Sequence, residues 1–129
     1  MHVSRQIYRR IHDLFPDLSD IKPFERTDLR DKGLPDVNVV VFETGPQQIN
    51  FILSQYRKEN GRTIADPCFE IALNPSLKTA NVVTYKDSHY FHAVTPEAEE
   101  IGTMAMSQAN GLLYAWLNEL QTVAPIAIA

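Results

Sequence analysis

Ile49-Asn50-Phe51-Ile52-Leu53-Ser54-Gln55-Tyr56 is an apolar, β-prone run, and Arg57-Lys58-Glu59-Asn60-Gly61-Arg62 follows it as a charged tip. Ala65-Asp66-Pro67 then leads into a second apolar run, Cys68-Phe69-Glu70-Ile71-Ala72-Leu73. Two runs of strand composition around Asn60-Gly61 make a hairpin, because both turn residues accept the positive φ of a tight primed turn. Pro67 has no N–H to give to a ladder, so the return strand is expected to start at Cys68 with Pro67 at its edge.

Outward from this hairpin the same pattern repeats. Val37-Asn38-Val39-Val40-Val41-Phe42 is β-branched and ends at Gly45-Pro46, and the short connection to Ile49 implies antiparallel pairing. On the other side, Asn74-Pro75-Ser76 is a turn, Val82-Val83-Thr84-Tyr85 a strand, Asp87-Ser88 a turn, and Tyr90 to Val94 a fifth strand. The expectation is an antiparallel meander of about five strands.

Helical periodicity marks both ends of the chain. Val3, Ile7, Ile11, Leu14 and Phe15 recur every three or four residues, with Arg5, Arg9, His12 and Asp13 turned outward and Pro16 as the stop. Near the other end, Thr95-Pro96-Glu97 has the form of a helix start, with Thr95 as N-cap and Glu97, Glu99 and Glu100 near the positive end of the dipole. Ile101, Ala105, Ala109, Leu112, Leu113, Trp116, Leu117 and Leu120 continue it as an apolar stripe. Gly102 and Gly111 are poor helix formers, which leaves a main helix beginning nearer Thr103 as the alternative. Residues 122–129 around Pro125 read as a frayed tail or a segment packed on a neighbour.

Two amphipathic helices need one sheet face to cover. The fold class is therefore α+β, a single domain over residues 1–129 with the N-terminal and C-terminal helices packed on one face of the meander. The other face is expected to show Asn, Ser, Thr, Glu and His side chains, and exposed aromatics there would make it a binding surface. Residues 17–36 form an irregular, turn-rich excursion pinned by Ile21, Phe24 and Leu29, with room for a short strand or helical turn.

Composition narrows the function. No apolar run is long enough to cross a bilayer, and the basic N-terminus lacks the apolar block of a secretory signal, so a soluble cytoplasmic protein is the expectation. The net charge is −4, and all twelve Lys and Arg residues lie before residue 87. An acidic C-terminal third does not suit a phosphate surface, which makes nucleic-acid binding through Arg5, Arg9, Arg10, Arg57, Lys58 and Arg62 the weaker option. The single Cys68 rules out an internal disulfide and any multi-cysteine zinc site. It reads as a small buried hydrophobe, since a thiolate nucleophile would need His89 or His92 brought beside it.

No glycine-rich phosphate loop, G-x-S-x-G, H-E-x-x-H or four-ligand metal pattern is present. Asp66-Pro67 followed by Glu70 has the outline of a nuclease carboxylate pair, but Ala72 stands where such sites carry lysine. One cluster remains: Asp66, Glu70, Lys86 and His92 would share one end or face of a sequential meander. A carboxylate with a histidine in reach could act as an acid–base pair or hold a metal. The plainer reading makes Glu70 and Lys86 cross-strand charge partners and Asp66 a turn initiator before proline. His89 and His92 are three apart, so on a regular strand they point to opposite faces.

Ser54 to Gly61, Ala65-Asp66-Pro67, Phe69-Glu70-Ile71, Thr84-Tyr85-Lys86-Asp87 and Leu112 to Leu117 together resemble a small bacterial and phage family of unassigned activity. Its pattern is a strand, Y-x-x-N-G-D, a D-P step, an apolar-acidic strand, a T-Y-x-D strand and a helix ending near L-x-x-W-L. The resemblance covers about residues 49–120, and Arg62 replaces the acid that usually follows Asn-Gly. It implies a strand-rich core closed by a C-terminal helix and an origin on mobile elements. No cofactor or catalytic set comes with it.

These readings lead to a non-enzymatic protein-binding or accessory module that uses one sheet face or the 17–36 excursion. The rivals are a metal-assisted hydrolase centred on Asp66, Glu70 and His92, and the nucleic-acid binder. The open edges of a meander also make a homodimer through a sheet edge an expectation.

Overall fold

A computed structural model describes residues 3–16, 18–30, 33–88, 90–97 and 102–128. The chain opens with α1 (Val3–Leu14) and a short 3₁₀ turn at Leu18–Asp20. Seven strands follow: β1 (Arg26–Leu29), β2 (Leu34–Glu43), β3 (Ile49–Glu59), β4 (Arg62–Asn74), β5 (Thr79–Lys86), β6 (Phe91–Thr95) and β7 (Thr103–Ala105). Helix α2 (Met106–Ile128) closes the fold. The strands stand in sequence order in one sheet, antiparallel from β1 to β6, with β7 parallel to β6.

The architecture is the α+β meander with both terminal helices on one face, built from seven strands where five were expected. One side of the sheet is sealed: Val37, Val39 and Val41 of β2, Phe51 and Leu53 of β3, Phe69 and Ile71 of β4, and Val82 of β5 are all buried. Ile7, Ile11 and Leu14 of α1 and Ala109, Leu113, Trp116 and Leu117 of α2 complete the same core. A fully buried side chain of this size contributes about 1.5–3 kcal/mol, so this alternation of one inward residue in two fixes which sheet face the helices cover.

The two extra strands come from places where local sequence pointed elsewhere. β1 lies inside the 17–36 excursion, where alternating charges hide a four-residue strand whose only buried member is Leu29. β7 lies where the C-terminal helix was expected to be under way. Thr95 ends β6 instead of capping a helix, and its Oγ1 donates to the Glu97 carbonyl, closing a turn. Gly102, at φ 87, takes a backbone conformation no helix allows, and α2 starts only at Met106. Glu97 is therefore not in a first helical turn, and Glu99 and Glu100 lie outside the described residues. At its other end α2 runs past Pro125 to Ile128, over the stretch expected to be a frayed tail or a segment packed on a neighbour, because one missing N–H removes one bond near a helix end and leaves the rest.

The central hairpin turns at Asn60 (φ 52) and Gly61 (φ 78), as the dipeptide requires. The return strand is longer than expected. β4 begins at Arg62, and Pro67 lies inside it at a bulge, where Asp66 and Pro67 together oppose Gln55. A bulge tolerates proline because the extra residue is left out of the ladder.

Candidate functional site

The sheet register distributes Asp66, Glu70, Lys86 and His92 without gathering them. Glu70 is opposite Thr84, and Lys86 is opposite Cys68 and Phe91, so both point to the face the helices leave open. They are diagonal neighbours and form no ion pair, which corrects the expected cross-strand pairing; Glu70 Oε1 accepts instead from Thr84 Oγ1 at 3.4 Å. His92 is opposite Tyr85 on the covered face, where the open-face histidine was expected. The Tyr85 and His92 rings stack at 6.2 Å, and Tyr90 tilts against His92 at 6.0 Å. A carboxylate on one face of a sheet cannot share a proton or a metal with an imidazole on the other. Among the described residues no group of three His, Cys, Asp or Glu side chains could hold a metal ion. His89, the other base considered for Cys68, lies outside the described residues.

Asp66 is not a free turn former. The bulge aims its carboxylate at the β5–β6 turn, where Oδ2 accepts from the Ser88 N–H at 3.2 Å and from Arg57 Nη2 at 3.3 Å. Arg57 also binds Glu59 at 2.9 Å. Beside Asp66 is a cleft of about 290 Å³ whose wall includes Phe69, Tyr85 and Trp116. Burial, and then the charge and hydrogen bond of Asp87, hold the Tyr85 phenol up at about 12, with Asp66 adding to the effect. A phenol so stabilised in its neutral form is a hydrogen-bond donor, not a base, at neutral pH. Trp116 Nε1 donates to Gln55 Oε1 at 3.1 Å and its ring stacks on Phe69 at 5.6 Å, so this corner ties α2 to the bulge.

Cys68 lies on the open face, half-buried rather than in the core. Its thiol pKa is raised by burial; Lys86 pulls the other way and Glu70 adds to the rise. A thiol held protonated is a poor nucleophile.

The open face is the larger feature. Across it run two rows in register: Arg26, Val40, Ile52, Glu70, Thr84 and Ala93, and next to it Asp28, Asn38, Ser54, Cys68, Lys86 and Phe91. Neither helix packs on these rows, but their middle is shielded by neighbouring side chains: Ser54 is buried and Val40, Ile52, Cys68, Glu70 and Thr84 are half-buried. Apolar side chains stand among the polar ones, and aromatics mark both flanks. Phe91 is 61% exposed on β6, and Phe24, just before β1, is 76% exposed. Phe24 adopts φ 66, a conformation bulky side chains rarely take, while its N–H donates to the Val41 carbonyl at 2.7 Å. Its ring tilts against Phe42, and Arg26 lies over the Tyr56 ring at 5.2 Å. The excursion and the open face, two separate possibilities in the sequence, are thus one continuous surface. Phe24 was legible only as a core anchor; no local signal marks an aromatic as facing outward.

The six basic residues of the nucleic-acid reading are divided. Arg57, Lys58 and Arg62 flank the β3–β4 hairpin tip, whereas the end of α1 lies against Pro46 and Pro75 of the β2–β3 and β4–β5 turns, at the opposite end of the strands. Arg10 is spent within the fold, donating to Asn118 Oδ1 at 2.9 Å and lying over Tyr114. No helix among the described residues is long and apolar enough to cross a membrane. Comparison with protein-family models, with curated proteins and with solved structures gives no match.

Proposed function

We propose that this protein is a non-enzymatic binding module that takes a partner protein on its open sheet face. The observation that carries this reading is the surface that runs from exposed Phe24 through half-buried Phe42, Val40 and Ile52 to exposed Phe91, on which neither helix packs. Aromatic and β-branched side chains ringed by Arg26, Asp28, Glu70 and Lys86 have the make-up of an interface core with a charged rim. Strain supports the same reading. Holding Phe24 at φ 66 costs on the order of 1 kcal/mol, and the burial of its ring does not offset that cost in the isolated chain. A partner that covers the ring would.

The test is site-specific photo-crosslinking in cells, with a photoreactive phenylalanine at position 24, 91 or 112. Leu112 is exposed on α2, away from the sheet face, and serves as the control. A discrete protein adduct from positions 24 and 91, absent from 112 and lost when Ile52→Lys is added to a chain that still melts cooperatively, supports the reading. Adducts from 112 alone, or from none of the three, overturn it.

A further inference from the structure

We propose that the groove between α1 and the β4–β5 turn binds an acidic peptide that carries an apolar residue beside its carboxylates. This surface is separate from the open sheet face. Two hollows meet here and share Tyr8 and His12, whose rings are parallel with centroids 6.1 Å apart. One, of about 300 Å³, has buried Phe15 in its floor and Pro16, Pro46 and Pro75 in its walls. The other, of about 640 Å³, is lined by Arg5, Arg9 and Lys78 together with His12 and, among the described residues, by no acidic side chain. One half suits an apolar side chain and the other suits carboxylates.

Among the described residues no ion pair neutralises the charge of the second half. The described ion pairs use Arg57 with Glu59 and Asp66, and none uses Arg5, Arg9 or Lys78. Helix geometry explains the separation. Asp13 turns to α2, where its Oδ2 accepts from Gln121, and Arg10 turns the same way to Asn118. Arg5 and Arg9, one helical turn apart, are left on the groove side. The first turn of α1 holds no acid, so the positive end of its dipole adds to the same field. In a chain of net charge −4 this is a local reversal of sign.

The facing wall is fixed in advance. Asn74 Oδ1 accepts from the N–H groups of Ser76 and Leu77 at 2.9 and 3.0 Å, and Ser76 Oγ donates to the Pro46 carbonyl at 3.0 Å. A wall already ordered loses little entropy when a ligand arrives. From Arg5 to Leu14 the groove follows about 14 Å of helix, which about four residues of extended peptide span.

A display library of random peptides of about ten residues, selected on the full chain, tests the proposal. The expected result is enrichment of Asp and Glu next to Leu or Phe. A selected peptide, labelled with fluorescein, should bind at least about tenfold more weakly to Arg5→Glu/Arg9→Glu, and more weakly as ionic strength rises. Lys78→Gln is the independent variant, expected to weaken binding less. All three positions are exposed, and unchanged melting confirms that the variants fold. Selection of peptides without acids, affinity unchanged in the charge variants, or tighter binding to phosphatidylserine vesicles or a single-stranded oligonucleotide than to any selected peptide overturns the proposal.

Discussion

Asn110 of α2 accepts the Val82 N–H of β5 through its Oδ1 at 2.9 Å, in the part of β5 that β6 does not reach. Its Nδ2 donates to Asn81 Oδ1 at 3.0 Å. A helix side chain thus stands in for a missing strand partner, satisfying a buried backbone donor and closing a sheet edge to foreign strands. It is one of two buried polar residues among those described.

Asn110→Ala leaves the Val82 N–H buried without an acceptor and should destabilise the fold by about 1–3 kcal/mol. Asn110→Asp keeps the acceptor but sets a carboxylate against Asn81 Oδ1, so it too should destabilise. Chemical denaturation measures both, and hydrogen exchange at Val82 should speed up in the alanine variant. Wild-type stability in Asn110→Ala would show that the bond contributes nothing.

Trp116→Phe keeps an aromatic ring against Phe69 and removes the donor that Gln55 Oε1 now receives. The expected loss is about 1 kcal/mol, read by urea denaturation followed by circular dichroism. The chain has one tryptophan, so its fluorescence in the wild type reports directly on whether α2 is docked against the β4 bulge.

Tyr85 makes the fold sensitive to alkali. Its pKa rises from the ordinary 10.0 to about 12 in the folded chain, chiefly through burial and then through Asp87. Between these values the unfolded phenol has lost its proton and the folded one keeps it. The stabilisation is complete below pH 10 and is lost as pH climbs toward 12. Melting temperature across this window should fall less steeply in Tyr85→Phe than in the wild type, and the two slopes coincide if Tyr85 plays no part.

Cys68 should react slowly with a disulfide reagent at neutral pH, because burial keeps the thiol protonated. Its two charged neighbours act in opposite directions. Glu70→Gln should lower the thiol pKa and speed the reaction, whereas Lys86→Met should raise it and slow the reaction. Reaction rate against pH for the three chains gives the order directly, and a reversed order would place the charges elsewhere.

Phe24→Gly relieves the positive φ and deletes a ring that is mostly in water. Stability should hold or rise, by up to about 1 kcal/mol, while the partner adduct at position 91 weakens. A large loss of stability would instead make Phe24 a structural anchor.

Strong local signals found their elements. The Asn60-Gly61 turn, the Val37–Phe42 and Ile49–Tyr56 runs, and the α1 stripe of Ile7, Ile11 and Leu14 are each decided by φ preference or by periodicity within a few residues. The weak ones misled. Thr95-Pro96-Glu97 carries helix-start residues, yet Thr95 is the last residue of a strand, because pairing with β5 and β7 outweighs a cap of about 1 kcal/mol. β1 and β7 are four and three residues long and exist only because a neighbouring strand offers them a ladder.

Sequence alone determined the fold class, with both helices on one sheet face, and the absence of known catalytic motifs, because alternation and motif spacing are local properties. Only the tertiary structure decided the surfaces. Register sent Glu70 and Lys86 to the open face and His92 to the covered one, and a bulge aimed Asp66 at Ser88. It also joined Phe24 to the sheet face and set Arg5 and Arg9 across from Lys78. In a strand of period two, one bulge reverses the side to which every following residue points, and no short window of sequence records where that bulge falls.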